Sequence, residues 1–76
     1  MSQNFSVTRL DTGDGIIGDF DKHSAAISSF IRQAIDDKTE IVFWLGKVRS
    51  EIFFDEDGDL HIKTTPEVLK VLSALI

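Results

Sequence analysis

The stretch from Val48 to Lys63 admits one arrangement that buries an apolar face. It alternates on both sides of Asp55-Glu56-Asp57-Gly58-Asp59, the mark of a β-hairpin around a Gly/Asp turn. A two-residue turn at Asp57-Gly58 pairs Asp55 with Leu60 and Phe54 with His61, which mixes apolar and charged side chains on both faces. A three-residue loop, Glu56-Asp57-Gly58 with Gly58 left-handed, pairs Phe54 with Leu60 and Ile52 with Ile62. One face then reads Val48, Ser50, Ile52, Phe54, Leu60, Ile62, and the other Arg49, Glu51, Phe53, His61, Lys63. A slip of one residue sends every side chain to the opposite face, so the three-residue loop is the predicted register.

Two helical segments can cover that apolar face. Ile27, Phe30, Ile31, Ala34 and Ile35 form one stripe at helical spacing and predict a helix over about 22–36, with Asp21 as N-cap. Asp36-Asp37 at its end is unfavourable against the helix dipole, with only Lys38 nearby to compensate. Thr65-Pro66-Glu67 opens a second helix with Thr65 as cap, because Pro66 at the first helical position loses no hydrogen bond. Thr64 with Glu67 also spells a capping box, one residue earlier. From Val68 to Ile76 only Lys70 and Ser73 are polar, so this helix is either sandwiched in the core or covered by another chain.

The remaining segments read as strands. Residues 5–10 predict a strand from Phe5 and Val7, Asp11-Thr12-Gly13-Asp14-Gly15 a turn, and Ile16 to Phe20 a returning strand weakened by Gly18. Ile41-Val42-Phe43-Trp44-Leu45 is short, continuous and apolar, which predicts a strand buried on both faces. Gly46-Lys47 then forms a two-residue turn of the type II′ pattern. The order ββ-α-βββ-α gives an α+β fold, a small antiparallel sheet with two helices packed on one face. Residues 1–76 form a single small acidic domain.

Size and composition narrow the function. A domain of 76 residues buries only about 60% of the surface its unfolded chain exposes. A large catalytic cleft is hard to carve from such a core, and self-association is an economical way to bury more. With no cysteine, neither a disulfide nor a thiolate metal site exists. The apolar run 41–45 falls far short of the roughly 20 residues a membrane span needs. Met1-Ser2-Gln3-Asn4 has neither a basic region nor an apolar stretch, so no signal peptide and a cytoplasmic location are expected.

Four motifs suggest chemistry, and each has a plainer reading. Gly13-Asp14-Gly15-Ile16-Ile17-Gly18 spells G-x-G-x-x-G, but the helix is predicted to open after the glycines rather than at them, and Asp14 and Asp19 repel a pyrophosphate. Asp55-Glu56-Asp57-Gly58-Asp59 resembles a calcium loop. The EF-hand form requires Gly at its sixth and Glu at its twelfth position, where Leu60 and Pro66 stand. No spacing links His23 or His61 to a nucleophile, and Ser24, Ser28 and Ser29 sit on a helix. Leu10-Asp11-Thr12-Gly13 resembles the signature of dimeric aspartic proteases, in which two aspartates, one per chain, share a proton. The retroviral type of that family is longer and almost all β, so the turn is the better reading. No catalytic residue, cofactor or metal is expected. The α-βββ-α order is similar to that of double-stranded RNA-binding domains, yet residues 64–76 hold only Lys70 where that family carries a lysine cluster.

Protein binding is what the sequence favours. Thirteen acids against eight bases give a net charge of -5. Eight of the acids lie in two turns: Asp11, Asp14, Asp19 and Asp21, and Asp55, Glu56, Asp57 and Asp59. If the turns share one end, they form a negative pole that repels nucleic-acid phosphate and attracts basic surfaces. Phe53 and His61 point away from the core within a rim of Arg49, Glu51 and Lys63, as protein-binding patches do.

The expectation is a non-enzymatic protein-binding module, of the acidic inhibitor, antitoxin or immunity type or a phage-encoded modulator. It would occupy a basic surface of a partner protein with Asp55, Glu56, Asp57, Asp59, Phe53, His61, Asp11 and Asp14, without direct nucleic-acid or membrane contact. The alternative is a structural or assembly subunit, a homodimer through Val68, Leu69, Leu72, Leu75 and Ile76. A small enzyme using Asp11 and a nucleic-acid binder are the remaining rivals.

Overall fold

In the computed structural model, which describes residues 3–76, the elements follow the predicted order. They are β1 (Asn4–Arg9), β2 (Gly15–Asp19), α1 (Phe20–Asp36), β3 (Ile41–Leu45), β4 (Val48–Phe54), β5 (Leu60–Lys63) and α2 (Pro66–Leu75). Met1 and Ser2, on which part of the N-terminal reading rests, lie outside the described residues. The strands form one antiparallel sheet in the order β2-β1-β3-β4-β5. After β2 folds back beside β1, α1 carries the chain over the sheet, and β3 enters on the other side of β1. Among the described residues, no helix is long and apolar enough to cross a membrane.

Both later hairpins take the predicted register. Phe54 pairs with Leu60 and Ile52 with Ile62, and the Asp55 amide donates to the Asp59 carbonyl at 3.1 Å. Gly58 closes that loop at φ +85°, a conformation that costs glycine little and other residues much. Leu45 opposes Val48 across Gly46-Lys47, with Gly46 at φ +61°.

The sheet is covered on one face. Phe5 and Val7 of β1, Ile41, Phe43 and Leu45 of β3, and Ile52 of β4 pack against Ile27, Ile31 and Ala34 of α1 and Val68, Leu72 and Leu75 of α2. Ser50, also buried on this face, satisfies its hydroxyl on the Thr64 Oγ1 at 2.6 Å. Thr65 caps α2 by accepting from the Val68 amide at 3.3 Å, and this leaves Thr64 for Ser50 rather than for a capping box.

Four expectations are revised. Asp19, not Asp21, caps α1: it ends β2 in extended conformation, so its carboxylate accepts from the Asp21 and Lys22 amides at 2.9 and 3.2 Å. Asp21 already lies inside the helix, which leaves helical geometry at His23 (φ -119°, ψ 17°) before the apolar stripe begins.

Secondly, β3 is buried on one face only. Ile41, Phe43 and Leu45 are buried, Val42 is half-buried and Trp44 is exposed, because both helices cover the other side. Thirdly, α2 owes its apolar character to the core of its own chain. Val68, Leu72 and Leu75 are buried there, and of the residues named for a dimer surface Leu69 and Ile76 are exposed.

Lastly, the charge compensation at the end of α1 comes from β1. Arg9 Nη1 lies 2.9 Å from Asp37. The helix ends in a Schellman motif, the Thr39 amide donating to the Ala34 carbonyl and the Lys38 amide to the Ile35 carbonyl. Lys38 takes the left-handed position at φ +54°, where glycine is usual.

Candidate functional site: an acidic end and a bare sheet face

The pairing of the strands decides which loops are neighbours. Arg9 opposes Ile41, Ile41 opposes Ile52, and Ile52 opposes Ile62. The end of β1, the start of β3, the end of β4 and the start of β5 therefore lie at one end of the sheet. The β1–β2 turn, the α1–β3 loop and the β4–β5 loop all emerge there. With the adjoining ends of β1 and α1 they carry Asp11, Asp14, Asp36, Asp37, Glu40, Asp55, Glu56, Asp57 and Asp59, nine of the thirteen acids, against the cations Arg9 and Lys38. That end has a formal charge of -7. The rest of the chain, with six cations and four acids, has +2, which together give the net -5.

The eight predicted site residues all lie at or beside this end. Asp19 and Asp21, grouped with the first turn in the sequence, do not: β2 runs back and leaves them at the far end. Asp36, Asp37 and Glu40 are the acids the sequence reading missed. No local signal reveals them, because only the β1–β3 pairing brings their loop alongside the two hairpin turns.

In the first acidic turn Asp11 is neutralised by Arg9, while Asp14 forms no ion pair among the described residues. Arg9, with its side chain 16% exposed, reaches Asp11 Oδ2 through Nη2 at 2.8 Å and Oδ1 through Nε at 3.1 Å, Asp37 through Nη1, and Thr39 Oγ1 at 3.1 Å. The hydrogen bond from Arg9 pulls the Asp11 carboxyl down to about 2, aided by the Thr12 amide and the Thr39 hydroxyl and opposed by desolvation.

The second acidic turn keeps most of its charge unpaired. Asp55 builds the loop: Oδ1 accepts from the Asp57 and Asp59 amides at 2.9 and 3.0 Å, and Oδ2 lies 2.7 Å from His61 Nε2. The His61 hydrogen bond, then the loop amides, hold its carboxyl below the usual range. Glu56, Asp57 and Asp59 are exposed and form no ion pair among the described residues. Asp55, Asp57 and Asp59 each bring a carboxylate oxygen within 4.8 Å of the others. His61 stacks on Phe53, ring centroids 5.3 Å apart and planes within 12°. Asp55, His61 and Phe53 thus form one connected group at the border between the acidic loop and the outer face of the sheet.

Among the described residues, no element covers that outer face. Ile17 is 79% exposed and Trp44 41% exposed, while Val42 and Phe53 are half-buried. Ile17, Ser6, Trp44 and Arg49 lie opposite one another across four strands, and Val42, Glu51 and Lys63 do so across three. Arg49 holds Glu51 at 2.6 Å and lowers its carboxyl. Val42 and Trp44 were hidden in the sequence by reading 41–45 as buried twice over. The available signal was the helix count: two helices, both needed on the hairpin's apolar face, leave none for the opposite one.

A groove of about 520 Å³ lies between α1 and α2, lined by Phe20, Ser24, Ala25, Ser28, Val71 and Leu75 among others. Its lining contains no acid or base, and Ser28 already donates its hydroxyl to the Leu75 carbonyl. Comparison with known proteins finds no relative: no protein-family model matches the chain, and no curated protein or solved structure is significantly similar to it.

Proposed function

We propose that this chain is a non-enzymatic protein-binding module that presents its acidic end to a basic surface of a partner protein. The observation that carries this reading is the convergence of three loops and the end of α1, bearing nine carboxylates, on one end of the sheet. A concentrated field of one sign steers an oppositely charged partner and speeds its association more than it tightens the final complex. Asp14, Glu56, Asp57 and Asp59 supply the unpaired charge. Phe53, stacked on His61, supplies an aromatic contact beside it, the kind of side chain on which binding energy concentrates. The same field disfavours direct contact with nucleic acid. A small cytoplasmic inhibitor of the antitoxin, immunity or phage-encoded type fits this chemistry, acting by covering a cationic surface.

The test compares the tagged wild-type chain with Asp14→Lys/Glu56→Lys/Asp57→Lys/Asp59→Lys, which leaves Asp55 to hold the loop. Support is a basic protein that the wild type retains at low salt, releases at high salt, and that the variant fails to retain. A partner bound equally by both forms refutes the reading. So does turnover of a small molecule by the purified chain that a single substitution abolishes.

A further inference from the structure

The helix-free face of the sheet is a second interaction surface, and its charge distribution says what fits it. Contiguous exposed apolar patches on small soluble domains mark interaction sites. Here Ile17, Trp44, Val42 and Phe53 run obliquely across the outer face. The charge on that face is ordered along the strands. Lys47, Arg49 and Lys63 lie on the β3–β4 turn, the start of β4 and the end of β5, while Asp55, Glu56, Asp57 and Asp59 extend from the other end of β4.

We infer that this face docks against the same face of a second copy of the chain, with strand directions reversed. Two stacked sheets can be related by a two-fold axis lying between them, either along the strands or across them. An axis along the strands sets acidic end on acidic end. An axis across them, near the Val42-Glu51-Lys63 row, sets the 55–59 loop of each copy opposite Lys47 and Arg49 of the other. It also covers Ile17 and Trp44 of each copy, which lie one row away from the axis on either side of it. Electrostatics therefore selects the second arrangement. A stable dimer buries roughly 800 Å² on each partner, so the contact must extend from the sheet onto the 55–59 loop and the Gly46-Lys47 turn at its two ends. Lys47 and Arg49 opposite an end of charge -7 leave each end of the dimer acidic, so the dimer offers two acidic ends facing apart.

Sedimentation of the full chain from about 1 μM to about 1 mM tests the proposal. The expected result is a concentration-dependent dimer in which Trp44 fluorescence shifts to the blue as its ring is covered. Trp44→Glu or Ile17→Glu, each present twice in the interface, raises the dissociation constant at least about 100-fold with an unchanged far-UV circular dichroism spectrum. Ile17→Glu, at the more exposed site, keeps the test decisive where Trp44→Glu disturbs the fold. Lys47→Glu/Arg49→Glu weakens the dimer, and adding Asp57→Lys/Asp59→Lys restores it. A chain that is monomeric throughout overturns the proposal, as does a dimer that survives both face variants and dissolves with Leu69→Glu on α2. Failure of the double charge reversal to restore association overturns the reversed orientation. Ile17→Glu leaves the acidic end intact, so capture of a basic partner by this variant is expected whether or not the chain dimerises.

Discussion

Phe43 and Trp44 are neighbours in β3, both aromatic, and the sheet assigns them opposite fates. Phe43 lies under the helices with no exposed surface, and Trp44 stands 41% exposed on the bare face. The covered face holds the buried core that makes the chain fold. The bare face holds an apolar row that contributes little to folding and is set among charges. In a two-layer domain of this size the fold requires only one apolar sheet face. Large apolar groups retained on the other are therefore available for contact with another molecule.

Substitution should break this contrast most sharply at the neighbouring pair. Phe43→Ala removes a buried ring at a cost of about 3–5 kcal/mol, comparable to the whole of what a core this size supplies, about 3–5 kcal/mol. The variant should be largely unfolded by circular dichroism at room temperature. Trp44→Ala should stay within about 1 kcal/mol of wild type in urea denaturation. Equal damage from the two would show that the outer face takes part in folding after all.

A smaller effect is expected where the hairpin decides which face each residue of β4 and β5 takes. Gly58→Ala places a side chain at φ +85° and should cost about 1–2 kcal/mol, with Gly58→Asn recovering part of the loss. An added Cβ would meet only the flexible end of Lys38, 3.2 Å away, so the cost is one of backbone conformation rather than crowding. Denaturation midpoints of the three proteins check this.

The smallest effect should come from the acidic end, through pH. The Asp11 carboxyl is held near 2 in the folded chain, below its ordinary value of 3.8, and the Asp55 carboxyl is also lowered. A carboxyl lowered by folding stabilises the fold above its ordinary value, and the contribution is lost as pH falls through its folded value. The melting temperature should therefore drop between about pH 4 and about pH 2. Asp11→Asn should melt lower at neutral pH and show a shallower drop over that interval. A slope unchanged by Asp11→Asn would remove Arg9 and Asp11 from the account of acid sensitivity.

Much of the architecture was legible because it depends on neighbours in the chain. The register of β4 and β5 follows from alternation around Gly58, the start of α2 from Thr65 and Pro66, and the Gly46-Lys47 turn from its length. The outward position of Phe53 and His61 follows from the same register. The cap of α1 was misread because Asp19 and Asp21 are equivalent as sequence, and only the path by which β2 delivers the chain puts Asp19 over the first-turn amides.

What the sequence alone determined is the set of elements and the two-sided chemistry of β4 and β5, since hydrophobic period and turn residues act over a few positions. Tertiary structure alone decided which face of β3 stays bare, that Asp37 finds its cation in Arg9, and that three acidic loops gather at one end while Asp19 and Asp21 go to the other. Apart from the position of Asp19 and Asp21, which the β1–β2 hairpin sets, these outcomes follow from β3 pairing with β1, a contact between segments some thirty residues apart, such as Arg9 and Ile41. Local preferences carry no information about such a contact, because the burial that rewards it exists only once both helices lie on the same side of the sheet.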